Sequence, residues 1–133
     1  MKRDLLIIFA VVLGLVLTTS TLNAHHSFAA QYDVNKPTRI EGTVTKVEWM
    51  SPHVYFYVDV EIDGRVVNYG VENGAPNRLF RQGWQPDTLK AGDEVTVDGS
   101  LARDGSPLVN ASEVTMNGRR LFAGSSNPDD REN

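Results

Sequence analysis

From Val54 to Ile62 the chain alternates without a break. Val54, Phe56, Val58, Val60 and Ile62 fall on one side, and Tyr55, Tyr57, Asp59 and Glu61 on the other. A two-residue period is that of a β-strand with one buried face. Asp63-Gly64 follows directly and is a signal for a two-residue type I′ hairpin turn. Arg65 to Glu72 then alternates again through Val67, Tyr69 and Val71. Upstream, Ile40, Gly42 and Val44 share one phase, whereas Val47 and Trp49 take the other. The slip near Thr45-Lys46 keeps strand character, which predicts a β-bulge and a strongly bent first strand from Arg39 to about Trp49. Ser51-Pro52 ends that strand, so residues 39–72 form a three-stranded meander.

The second half continues the pattern after one helical interruption. Pro76 opens a short helix through Leu79 and Phe80, Gly83 stops it, and Trp84 is placed to plug the core. Val95, Val97 and Leu101 alternate with Thr96, Asp98 and Ser100 as a fourth strand. Asp104-Gly105 turns into a fifth strand at Ala111 to Met116, and Asn117-Gly118 allows Arg119 to Phe122 to fold back. Three strands, a helix and two strands is the order of an OB-fold, a five-stranded Greek-key barrel. The expected class is therefore all-β with one short helix, with a small SH3-like barrel or an open sandwich as the competing architecture.

Ahead of this domain lies a leader. Met1-Lys2-Arg3-Asp4 is charged, Leu5 to about Leu17 is apolar, and Leu22-Asn23-Ala24 closes a polar stretch. That order reads as a secretory signal peptide over residues 1–24, and its apolar run is short against the ~20 residues of a spanning helix. Cleavage after Ala24 makes His25 the N-terminal residue; cleavage after Ala29 removes both His25 and His26. The expected organisation is a signal peptide at 1–24, an N-terminal arm at 25–38, a barrel domain at 39–123 and a disordered tail at 124–133, rich in glycine, serine, proline and acid. The product is periplasmic or secreted, with no membrane insertion after cleavage.

Charge and cysteine content narrow the chemistry. The chain carries a net charge of −4, and the leader holds two of its cations against one acid, so the mature protein is slightly more acidic still. Such a balance gives no long-range attraction to nucleic acid. The absence of cysteine excludes disulfides, thiolate metal sites and a thiol nucleophile. No nucleophile elbow, phosphate-binding glycine loop or helical metalloprotease motif is present.

Taken together, HHSFAAQYD after the leader, GTVTKVEWMSPH in the first hairpin, PNRLFRQGW at the helix, LKAGDEVTVDGSLARDGS in the second half and the closing GRRLFAGSS resemble a family of small exported bacterial proteins of unknown function. The resemblance spans almost the whole mature chain. Related sequences commonly carry asparagine where this chain has Ser51, which alters the turn before Pro52. The family implies no activity, so function must be argued from side chains.

Three histidines, His25, His26 and His53, are the only ones in the chain. A free α-amine on His25, with a pKa near ~7.7–8.0, can lose its proton to a metal at neutral pH. With the Nδ1 of His25 and one further imidazole it makes three nitrogens in a T shape, a histidine brace. Copper(II) favours such tetragonal nitrogen sites. An alternative chelate runs through the terminal amine, the intervening amide and His26, with His53 as fourth donor, and zinc on three histidines is a lesser possibility. Met50 supplies a soft thioether nearby. The 14-residue arm spans up to ~50 Å extended against ~35 Å for the first strand, so by doubling back beside that strand it reaches His53.

The expected function is thus an exported metal-binding protein, most plausibly for copper, with metal delivery or storage as its role and another envelope protein as a possible partner. Catalysis is the lesser expectation. The competing function is a metal-free binding or interaction module using Trp49, Tyr55 and Tyr57 as an aromatic face, as OB-folds do; an envelope structural protein is a third. Asp59 and Glu61 share a strand face as a carboxylate pair. Arg78 and Arg81 sit one helical turn apart, placed to pair with Glu72 or to face water, and Asn110-Ala111-Ser112 matches a glycosylation sequon.

Overall fold

A computed structural model describes Met1 and residues 28–122. Residues 2–27 and 123–133 lie outside the described residues, and with them the rest of the expected signal peptide, His25, His26 and the expected tail. The elements are β1 (Tyr32–Glu48), β2 (Tyr55–Ile62), β3 (Arg65–Glu72), α1 (Pro76–Arg81), β4 (Glu94–Ala102), β5 (Leu108–Met116) and β6 (Arg119–Phe122). A single helical turn at residues 28–31 precedes them. The protein is all-β, its sheet mostly antiparallel, with order β3-β2-β1-β4-β5-β6. Among the described residues no helix is long and apolar enough to cross a membrane.

The turns form where their residues demand them. Asp63 and Gly64 have φ of 51° and 76°, and Asn117 and Gly118 have 51° and 74°, the double left-handed conformation of a type I′ hairpin. The register between β1 and β2 shifts between Val44 and Lys46, so the phase slip in the sequence is a bulge. A second irregularity separates Asp98 from Gly99 in the β4–β5 ladder. Two glycines sit at close backbone crossings: a Cβ on Gly42 would lie 2.0 Å from the Asp59 carbonyl oxygen, and one on Gly99 would lie 2.1 Å from that of Asn110. Strong bending brings the chain past itself there with no space for a side chain.

The core follows the alternation. Val54, Phe56, Val58 and Val60 of the β2 run are buried with Ile40, Val44, Val71, Val95, Val97, Val109 and Val114, and Leu79 of α1 joins them. Trp84 is 3% exposed and plugs this core. Ile62 departs from its expected inward place at 41% exposed. The last β1–β2 pair is Thr43 with Asp59, and beyond it β2 has no β1 neighbour to bury Ile62.

Two boundaries differ from the sequence expectation. β1 begins at Tyr32, within the segment expected to be an arm, because Tyr32 pairs with Ala102 of β4 and pairing resumes at Pro37. The irregular stretch between them erases the period-two signal. β5 begins at Leu108 because it pairs in parallel with β3, Gly70 to Leu108, Val71 to Val109 and Glu72 to Asn110. Arg119–Phe122 folds back after Asn117-Gly118, as expected, and pairs with β5 as the short strand β6. Neighbouring pairings therefore run from β1 through β2, β3, β5 and β4 back to β1.

Candidate functional site

The type I′ turn at Asp63-Gly64 sets the β2–β3 register so that Tyr55 stands opposite Glu72. The ladder continues past both strand ends, where the Val54 amide donates to the Gly74 carbonyl at 3.0 Å and the Asn73 amide to the Val54 carbonyl at 2.8 Å. These bonds hold the residue before Val54, His53, beside the end of β3. There Nδ1 of His53 lies 2.8 Å from Oε1 of Glu72.

Glu72 is 4% exposed, and three side chains converge on it. The Tyr32 hydroxyl donates to its Oε2 at 2.5 Å and the Tyr55 hydroxyl to the same oxygen at 2.8 Å. Burial alone pushes a carboxyl up, but the hydrogen bonds from His53, Tyr32 and Tyr55 outweigh it, and Glu72 lies below its ordinary value. Burial, then the bonds to the Glu72 carboxylate, raise both tyrosine hydroxyls. Asn73, next in sequence, is fully buried. Its Oδ1 accepts from the Gly74 amide at 2.9 Å, while its Nδ2 meets no partner among the described residues.

Tyr32 arrives at this cluster by a route the sequence did not suggest. The arm does not double back along β1; β1 itself extends to Tyr32 and pairs with Ala102 of β4. Glu72 pairs with Asn110 of β5, which pairs with Ser100 of β4, two residues before Ala102, so Tyr32 and Glu72 stand on nearby rows of the sheet. The helical turn ahead of Tyr32 is docked as well. Phe28 is buried against the Tyr32 ring with centroids 5.4 Å apart. Arg103 Nε donates to the Ala29 carbonyl at 2.6 Å, and the Arg103 amide to the Gln31 carbonyl at 2.9 Å.

His53 is the one histidine among the described residues. Its side chain is one-third exposed, and the Glu72 contact leaves its Nε2 as the second ring nitrogen. A carboxylate on Nδ1 fixes the proton there and presents the Nε2 lone pair, the arrangement found behind metal-binding imidazoles. The same pair is the base half of a hydrolytic triad, which is complete only with a nucleophile at Nε2. No group of three or more His, Asp or Glu is gathered there as a ligand set; His25 and His26 lie outside.

The remaining candidates separate. Trp49 packs on the core and meets Phe80 edge-on at 5.2 Å. Tyr55 is turned to Glu72, and the Tyr57 hydroxyl donates to Glu48 at 2.9 Å. That bond raises Tyr57, while Lys46 first and Tyr57 second lower Glu48. Trp49 is thus engaged with the core, and each tyrosine hydroxyl is tied to a carboxylate. Met50 is exposed. Asp59 accepts from Asn68 at 2.8 Å as a cross-strand tie, opposite it in the β2–β3 register. Arg81 Nε donates to the Asn77 carbonyl of its own helix, and both Glu72 oxygens are taken by His53 and the tyrosines. Asn110 is buried in β5, so its sequon is no accessible acceptor.

In the sequence Glu72 stands out only as a strand end and a partner for arginine, and Tyr32 only within the HHSFAAQYD motif. One signal was available for Glu72: a two-residue turn at 63–64 sets Tyr55 opposite it by counting alone.

Residues 13–110 match the family described as "Family of unknown function (DUF6152)". The chain belongs to this family. The DUF6152 match runs from residue 13 into β5 and takes in Tyr32, His53 and Glu72 along with His25 and His26. No curated protein matches the chain.

Proposed function

We propose that this DUF6152 protein is an exported copper-binding protein, using His53 together with the histidines of a mature N-terminus at His25, in metal binding, delivery or storage. The observation that carries the reading is the 2.8 Å contact between Nδ1 of His53 and Glu72, which leaves Nε2, on a side chain one-third exposed, as the remaining donor. The circuit of strand pairings, with α1 between β3 and β4, supports an OB-fold barrel as the scaffold.

The docked segment favours signal cleavage after Ala24. A cut after Ala29 would remove Phe28, a buried ring, and the carbonyl that Arg103 grips. With Phe28 retained, His26 lies two residues and His25 three residues from an anchored position, at most about 7 and 11 Å of extended chain. Phe28 touches Tyr32, Tyr32 bonds Glu72, and Glu72 bonds His53. The terminal amine, one or both arm imidazoles and His53 Nε2 then supply an all-nitrogen donor set, which suits copper(II) better than zinc.

The test begins with the intact mass of the exported protein, expected to start at His25; a chain starting at Ala30 would exclude the site. Titration of that protein with copper(II) under paramagnetic resonance is expected to show nitrogen ligation. Binding no tighter than that of a His25, His26 and His53 triple alanine variant would refute the reading.

A further inference from the structure

We infer that Glu72 is a positioning residue that couples docking of the N-terminal segment to presentation of His53, so that the segment carrying the terminal histidines also sets the imidazole they are to share an ion with. The inference deepens the copper reading and rests on it for the ion. The coupling itself rests on geometry alone.

Glu72 uses its two oxygens for two different parts of the chain. Oε1 faces His53, on the loop between β1 and β2, while Oε2 takes the hydroxyl of Tyr32, at the beginning of β1. Tyr55 shares Oε2 but comes from β2, whose place is set by full ladders on β3 and β1. Tyr32 has no such ladder on both sides; its pairing is one contact with Ala102, separated from the next at Pro37 by an irregular stretch. What else holds it is Phe28 against its ring and Arg103 on the carbonyls of Ala29 and Gln31. Lifting that segment removes one of two hydroxyls from Oε2 and uncovers a carboxylate that is otherwise 4% exposed. Water then competes for both oxygens, and the carboxylate no longer has a single orientation in which to hold Nδ1. A docked segment and an outward Nε2 are therefore one state, and an undocked segment with a free imidazole is the other. Coupling of this kind is reciprocal: whatever holds His53 must also hold the segment.

The test uses the full exported chain without metal and then with copper(II) as the probe. Two reporters lie at opposite ends of the coupling: the ring nitrogens of His53, read by ¹⁵N shifts with the imidazole neutral, and exchange of the Arg103 amide hydrogen, which is bonded to Gln31. Wild type is expected to carry the proton on Nδ1. Phe28→Ala, which touches neither Glu72 nor His53, is expected to shift His53 toward a mixture of tautomers, as is Tyr32→Phe. In the reverse direction Glu72→Gln and His53→Ala are expected to speed exchange at Arg103 by roughly 5–150-fold, with the Gly92 amide, bonded to Val44 elsewhere in the sheet, unchanged. Glu72→Gln is also expected to weaken copper(II) binding by roughly 10–100-fold, with no further loss when it is combined with His53→Ala.

His53 nitrogens indifferent to Phe28→Ala and Tyr32→Phe, or Arg103 exchange indifferent to Glu72→Gln, would overturn the coupling even if copper binds. Failure of copper to bind wild type, with both reporters moving as described, would remove the copper reading and leave the coupling standing.

Discussion

Nδ1 of His53 and Oε1 of Glu72 meet at 2.8 Å across the end of the β2–β3 hairpin, and the carboxylate is almost wholly out of water. Removing the imidazole leaves a buried charge with the two tyrosine hydroxyls as its remaining side-chain donors. His53→Ala is expected to cost about 1–3 kcal/mol, seen as a lower urea midpoint with an unchanged slope. A midpoint equal to wild type would mean that water replaces the imidazole without loss.

Acid should expose the same carboxylate. The folded value of Glu72 is lowered, so its contribution is present above the unfolded carboxyl value of ~4.3 and is lost as pH falls through the still lower folded value. Urea midpoints measured at decreasing pH are expected to fall more steeply for wild type than for Glu72→Gln. Parallel curves would remove Glu72 from the acid transition.

Alkali tests the tyrosines with the opposite sign. Tyr32 and Tyr55 are both raised by burial and by the carboxylate they donate to. Their contribution is complete below the ordinary tyrosine value of ~10 and is lost as pH rises through the folded values. Tyrosinate absorbance is expected to show two residues that ionise only as the chain unfolds. Tyr32→Phe and Tyr55→Phe should each delete one of them; a full early titration in wild type would contradict the buried hydroxyls.

Gly42 and Gly99 have backbone oxygens 2.0 and 2.1 Å from where a Cβ would stand. Neither oxygen belongs to a side chain that can swing away. Gly42→Ala and Gly99→Ala are each expected to lower Tm by roughly 5–20 °C, measured by far-ultraviolet circular dichroism. Gly70→Ala, whose nearest neighbour is a leucine methyl at 3.1 Å, is expected to cost less. Equal losses at all three would show that the two crossings yield more readily than their geometry implies.

Much of the fold was legible because its signals are local. The slip between Val44 and Lys46, the type I′ turns at Asp63-Gly64 and Asn117-Gly118, and the helix opened by Pro76 and stopped near Gly83 each depend on a few adjacent residues. The start of β1 was not legible, since Asp33 to Lys36 carries no alternation and Tyr32 is fixed by a strand that arrives much later in the chain. The candidate site divides in the same way. His53 stood out as a scarce residue type beside a turn, whereas Glu72 and Tyr32 matter only through contacts across the sheet. A lone glutamate at a strand end is ordinarily a solvated residue; here Tyr32, coming from the far side of the sheet, dries it.

β3 meets β5 through three residue pairs, and Glu72 forms one of them, opposite Asn110. The strand end that completes the circuit thus also carries, on its side chain, the carboxylate that meets the imidazole. A local opening that parts β3 from β5 strips one flank from Glu72 while its pairing with Tyr55 of β2 stays in place.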